Sequence, residues 1–344
     1  MFDRNVVFRW SLARFFATLA LCAGALATCG AQDETPTRTR ELFGDVAFER
    51  GFKILDVARK PVYRGILNLA LDASSDENAK PVWGIACHYS KYDPTKCDVQ
   101  RVEGRATAST PGQTIELEKD AFGATVLRLR IDSSAEYAAP RAQSTDPWVH
   151  LLLQRDFLES ERVALKDLDS LTFSCEARVA DWKRLGDESS FNPSLHATQA
   201  SVYFAFPNGD KDSPDYRDFI WFGVSFFDDR SEVQENYAEV DGDPEKIGTG
   251  KLIYRLGGQE TIDKYMSGVN PYFGEWTKIE IELKGRLTDA LAAARKRGML
   301  EHTSVDDLVV AHFNFGWETP GVYRSTLEMK NLRLIATEKG NSTK

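Results

Sequence analysis

The sequence predicts an all-β fold, two antiparallel sheets packed face to face, with one short helix. Three observations carry that expectation. Apolar residues alternate with others in segment after segment, the period of strands with one buried face. Turn-forming stretches such as "FPNGDKDSPDYRD" and "EVDGDPEKIGTG" separate these segments, and a helical pattern stands out at 287–297. With many strands and little helix, each sheet must bury a face on the other, and a jelly-roll sandwich is the arrangement expected. No repeat of about 20 to 50 residues is present, which disfavours propellers and solenoids.

The chain has 344 residues. Residues 1–31 read as an export leader: Arg4, Arg9 and Arg14 precede an apolar run from Phe15 to Ala27 that is short for a membrane span. Cleavage after Ala27, cleavage after Ala31 and lipidation at Cys29 all remain open, although Thr28 makes a poor lipobox. An exported protein is expected, periplasmic, extracellular or on the cell surface, touching a membrane solely through a lipid on Cys29. Polar residues 32–41 form a tether, 42–338 a single sandwich domain and 339–344 a tail.

The strands expected in order are Thr125 to Ile131, Trp148 to Gln154, Leu171 to Val179, Ala200 to Phe206, Phe219 to Phe227, Thr277 to Leu283, Leu308 to Phe315 and Val322 to Leu334. The helix at 287–297 is rich in alanine and leucine, and Gly298 follows it as a C-cap. Cys87 and Cys97 bracket the polar loop "HYSKYDPTK" and are candidates for a disulfide in an oxidising compartment. Cys175 sits within "LTFSCEARV" as a buried thiol.

The net charge of −9 at pH 7 argues against nucleic acid and anionic lipid surfaces as partners, and also against a highly anionic polysaccharide unless a local basic pocket overcomes the average. Arg128 and Arg130 share a strand face, either to hold an acidic sugar or, more commonly, as a solvated surface. The five histidines lack helical zinc spacing, so no metal cofactor is expected. "DGDPEK" from Asp241 lacks the glycine of an EF-hand, which leaves a structural calcium as the remaining ion candidate. There is no phosphate-cradling glycine loop and no G-x-S-x-G elbow.

Three strands carry an unusual second face. Trp148, His150 and Gln154 lie opposite Val149, Leu151 and Leu153. Trp221, Gly223, Ser225, Phe227 and Asp229 lie opposite Ile220, Phe222, Val224 and Phe226. His312, Asn314 and, if the strand stays regular past Gly316, Glu318 share a face, and Trp317 is an aromatic candidate beside them. Aromatic plates, amides and carboxylates on one sheet face suit a sugar chain. Asp229 and Glu318 are the expected carboxylate pair, and His150 is a candidate base or orienting group. Trp148, Gln154, Trp221, Ser225, His312, Asn314 and Trp317 are expected to bind. The plainer reading makes the tryptophans core residues and Asp228-Asp229-Arg230 a strand-ending turn.

The C-terminal run "HFNFGWETPGVYRSTLEMKNLRL" (His312 to Leu334) resembles the closing strands of concanavalin A-like jelly rolls from secreted carbohydrate-active proteins, and "WFGVSFFDDR" is similar to other strands of that fold. The resemblance implies a cofactor-free, monomeric protein whose partner is a poly- or oligosaccharide. It leaves open a glycoside hydrolase or lyase, a non-catalytic binder, or a structural envelope protein. The E-x-D-x-x-E strand of one hydrolase group is absent, and the Q-[IV]-H strand of alginate lyases is matched loosely by "VHLLLQ". No catalytic residue is carried over.

Overall fold

The computed structural model describes residues 38–58, 60–71, 80–242, 248–268 and 274–340. The leader, Cys29, most of the tether, residues 243–247 of the candidate calcium loop and the last four residues lie outside the described residues. All described residues belong to one unit, Pro36–Lys344.

The strands begin with β1 Thr39–Glu41, β2 Phe52–Ala58, β3 Lys60–Leu67, β4 Trp83–Ala86, β5 Gln100–Val102 and β6 Arg105–Ser109. β7 Gln113–Lys119, β8 Thr125–Asp132, β9 Val149–Asp156, β10 Leu168–Arg184, β11 Gln199–Pro207 and β12 Phe219–Asp228 follow. The chain continues through β13 Tyr237–Val240, β14 Leu252–Leu256, helix α1 Gly258–Tyr265, β15 Met266–Gly268 and β16 Thr277–Glu282. Helix α2 Leu287–Arg295, β17 His312–Thr319 and β18 Tyr323–Glu338 complete it.

These strands form a two-sheet β-sandwich. One sheet has the order β15-β16-β10-β18-β8-β7-β6-β5, with β1 also on β18. It is antiparallel throughout. The other has the order β13-β14-β12-β11-β17-β9-β4-β2-β3. This second sheet is mixed, because β14 runs parallel to β12 and β4 parallel to β2. The chain crosses between sheets from β1 to β2, β4 to β5, β8 to β9, β9 to β10, β10 to β11, β14 to β15, β16 to β17 and β17 to β18, which interleaves the two layers.

The apolar face of each strand meets its counterpart across the sandwich. Phe173 of β10 packs on Phe204 of β11 at 5.4 Å and Phe313 of β17 at 5.5 Å between ring centroids. Fully burying one such ring is worth about 1.5 to 3 kcal/mol. Phe43 and Phe48, in the loop after β1, plug one side of the core, and Phe43 stands 4.9 Å from Trp83. The Trp83 indole donates to the Asp45 carbonyl at 2.6 Å, so its one polar atom is satisfied inside.

Helix α2 buries Leu287, Ala290, Leu291 and Ala294, the one-sided stripe of a surface helix. It ends two residues before the expected 297, and Gly298 follows in the left-handed region. Helix α1 was not expected; eight mostly polar residues with Thr261 as the buried one give little periodic signal. Cys87 and Cys97 are free thiols, so the expected disulfide is not formed. Cys87 is sealed in the core, whereas Cys97 caps the short turn Pro94–Lys96.

Candidate active site

The face of the mixed sheet that points away from the core is unusually buried for polar side chains. Gln154, Ser201 and Ser225 are each less than a tenth exposed, although none belongs to the core cluster. Neighbouring side chains stand over that face: His88 and Trp148 beside His150, and Thr249, bonded to Asp241, beside Trp221. The face is therefore the floor of a cleft.

Strand register arranges the floor in cross-strand rows, since residues directly opposite one another share a face. One row reads Asp228, Gln199, Glu318, His150. The next reads Ser225, Ser201, Gly316, Leu152, Ala86. A third reads Arg255, Gly223, Tyr203, Asn314, Gln154, Gly84. A fourth reads Trp221, Ala205, His312, Asp156. Two glycines serve this packing. A Cβ on Gly316 would lie 2.2 Å from the Leu151 carbonyl oxygen, and one on Gly223 would lie 2.4 Å from the Tyr203 ring.

Glu318 is the central carboxylate. Its Oε2 lies 3.7 Å from His150 Nε2 and 3.4 Å from the Gln199 amide nitrogen. Burial holds its pKa above the usual carboxylate range; Trp148 and Gln199 pull the other way, Asp241 pushes it further up and Arg255 lowers it. Asp241 itself accepts from the Thr249 backbone N–H at 2.9 Å and hydroxyl at 2.7 Å. His150 is buried against Trp148 and His88, with ring centroids 5.5 and 5.4 Å away. Burial depresses its pKa to about 4, and that of His88 to about 3, so both are neutral at pH 7. The Nδ1 atoms of both rings are buried without a hydrogen-bond partner.

Further along the cleft, His312 Nδ1 meets Asp156 Oδ1 at 2.6 Å and its Nε2 meets the Asn314 amide at 3.2 Å. Gln154 donates to Asp156 at 3.0 Å. Burial works against ionisation of Asp156, but the bonds from His312 and Gln154 prevail and hold its pKa low. Trp221 stands edge-on to His312 at 5.4 Å and donates to Thr249 at 3.2 Å, which ties this end of the floor to the Asp241 segment.

Thus Trp148, His150, Gln154, Trp221, Ser225, His312, Asn314 and Glu318 come together as expected positions on one face. Two do not. Trp317 is fully buried in the core and donates to the Leu129 carbonyl at 3.0 Å; its parity is that of Phe313 and Phe315. Asp229 leaves the cleft because of a bulge. Ala200 pairs with Phe227 but Ser201 pairs with Ser225, so Phe226 is the extra residue and parity reverses beyond it. Asp228 then faces the cleft, where Arg230 holds it through Nε at 2.8 Å. Asp229 turns inward to accept from Thr198 N–H at 2.8 Å and from the Tyr323 hydroxyl of the other sheet at 2.8 Å. It is a structural clasp, and the pair Asp229 with Glu318 is not formed.

Sequence reasoning missed Gln199, Tyr203, Arg255, Asp156, His88 and Asp241. The alternation of β11, Gln199, Ser201, Tyr203, Ala205, carried the same polar-aromatic mixture as its neighbours and could have flagged the first two. Arg255 and Asp241 come from β14 and the segment after β13, elements too short to announce a face. Among the described residues no group of three or more His, Cys, Asp or Glu side chains is arranged to hold a metal.

No family profile matches the sequence, and no curated protein matches it. Solved structures of similar fold include a family 11 xylanase from Neocallimastix patriciarum, 11% identical, covering 70% of this chain and 98% of the xylanase with a TM-score of 0.32. An endoglucanase from Rhodothermus marinus is 11% identical over 74% of this chain and 99% of its own, with a TM-score of 0.37. A family 12 xyloglucanase from Bacillus licheniformis is 10% identical over 70% of this chain and 97% of its own, with a TM-score of 0.39. At such scores no residue role passes from those enzymes to this chain.

Proposed function

We propose that this protein is exported, lays a glycan chain across the cleft of the mixed sheet and cleaves it, with Glu318 delivering the proton to the departing glycosidic oxygen. The supporting observation is the setting of Glu318: a carboxylate on the cleft floor whose environment favours the protonated form, flanked by a neutral His150 and an amide. A carboxyl whose pKa is raised is suited to act as a general acid. Trp148 and Trp221 offer apolar faces for sugar rings, and Gln154, Asn314, Gln199 and Ser201 offer hydrogen bonds to hydroxyls. In the hydrolytic reading the C–O bond breaks as Glu318 protonates the leaving oxygen, and a water adds to the anomeric carbon and gives its proton to a second carboxylate, for which Asp241 is the candidate.

A second reading, β-elimination, is favoured by the neutral His150 and by Tyr203 beside Arg255. A base there removes the proton next to a sugar carboxylate, the bond to the leaving oxygen breaks with its electron pair, that oxygen takes a proton from Glu318, and a carbon–carbon double bond remains. Purified protein incubated with neutral and uronate polysaccharides distinguishes the two readings: new reducing ends alone mark hydrolysis, and ultraviolet-absorbing ends mark elimination. Glu318→Gln is expected to lose at least about 100-fold in turnover while still binding. Binding without product in the wild type would leave a recognition protein, and full turnover in Glu318→Gln would remove Glu318 from the mechanism.

A further inference from the structure

Most arginines near the cleft are committed. Arg230 is bound to Asp228, and Arg64 to Asp56. On the opposite sheet Arg128, the sequence candidate for an acidic sugar, is saturated by Glu116, Glu118 and Glu328. Arg255 differs. It projects beside Gly223 toward Tyr203, and its guanidinium lies 5.4 Å over the Tyr237 ring. Among the described residues no carboxylate lies within ion-pair distance of it, and its Nε is buried with no hydrogen-bond partner.

A guanidinium nitrogen can only donate, so a buried, unpaired one lacks an acceptor. The hydroxyl of Ser225, 7% exposed, is likewise buried without a partner on the cleft side of the sheet, and the Trp148 indole N–H is a pure donor aimed at Glu318. The site thus holds a surplus of donors that a ligand rich in acceptors would satisfy. Two carboxylate oxygens accept from a guanidinium fork in the geometry that makes arginine the preferred carboxylate anchor.

We propose that Arg255 anchors a sugar carboxylate, and that the chain taken by the cleft is therefore a uronic-acid glycan. This rests on the glycan reading above and holds whether the bond is broken by hydrolysis or elimination. Burial raises the Glu318 pKa, which lessens the like charge it would set against a bound carboxylate.

The test is calorimetric titration of the wild type, Arg255→Gln and Arg255→Lys with oligomers of galacturonate, glucuronate, mannuronate and guluronate, and with the same oligomers after reduction of their carboxyls to hydroxymethyl groups. The expected result is that at least one uronate oligomer binds about 10- to 100-fold more tightly than its reduced form, that Arg255→Gln erases the difference, and that Arg255→Lys recovers part of it. Equal or tighter binding of the reduced forms to the wild type overturns the inference without using any variant, and leaves the glycan reading standing. A uronate preference that survives both variants overturns the assignment to Arg255. No binding of either form, together with no binding of neutral oligosaccharides, overturns the inference and the glycan reading together.

Discussion

Asp229→Ala should unfold this protein more readily without touching its chemistry. The Asp229 side chain is fully buried and accepts two hydrogen bonds of 2.8 Å, from the Thr198 N–H and the Tyr323 hydroxyl, with Arg184 at 3.4 Å. Truncation leaves the Thr198 N–H and the Tyr323 hydroxyl without an acceptor and frees Arg184. Each orphaned buried group costs about 1 to 3 kcal/mol, so the loss from the two should total roughly 2 to 6 kcal/mol. For a chain of this size that corresponds to a drop of roughly 3 to 9 °C in Tm. Differential scanning calorimetry reads the drop, and turnover measured well below the lowered Tm reads the chemistry. A variant that melts within about 2 °C of the wild type, or one that is folded but inactive, would refute the assignment of Asp229 as a clasp between sheets. Asp229→Asn should fall between, because the amide still accepts from Thr198 but turns a second donor toward Arg184.

The remaining expectations concern the floor of the cleft. Glu318→Gln should be more stable than the wild type at pH 7: a carboxylate with a raised folded pKa favours folding below its unfolded pKa and loses that contribution as pH rises through the folded value, so the variant's advantage should shrink between pH 7 and pH 4 in chemical denaturation. His150 titrates the opposite way. Its folded pKa is about 4 against about 6.5 unfolded, so the unfolded chain binds the extra proton in that window, and the wild type should lose about 3 kcal/mol relative to His150→Gln as pH falls from 6.5 to 4. Gly316→Ala places a Cβ 2.2 Å from the Leu151 carbonyl oxygen and 2.7 Å from Leu152 Cα, two backbone atoms, and should cost roughly 3 kcal/mol or more in urea denaturation. Gly223→Ala collides at 2.4 Å with the Tyr203 ring; displacement of that ring should weaken ligand binding at least several-fold in titration while Tm falls less than in Gly316→Ala.

Alternation was enough to read the sandwich and most of one cleft face, because period-2 burial depends only on local sequence. Trp148, His150 and Gln154 share a face for that reason, as do His312 and Asn314. Gly316 left β17 regular, so Glu318 stays on the side its parity assigns. The failures come from long-range facts. Whether β12 is interrupted depends on how β11 pairs with it, and nothing within "VSFFDDR" marks Phe226 as the extra residue. Trp317 has the parity of the core, a reading its aromatic character obscured. The parallel pairing of β14 with β12 brings Arg255 beside Tyr203, a neighbour more than fifty positions away in the chain that no local pattern encodes.

The inserted Phe226 divides two chemically identical neighbours between two duties. Asp228 belongs to the outer face of the mixed sheet and Asp229 to the seam that holds the two layers together. Point substitution cannot exchange them, since each side chain is fixed by the phase of the strand beneath it. Loss or gain of one residue upstream can, and it would exchange every position between there and the strand end at the same stroke. Among relatives of this chain, the length of the segment between Ser225 and Asp228 would therefore say more about which carboxylate meets the ligand than the identity of either aspartate.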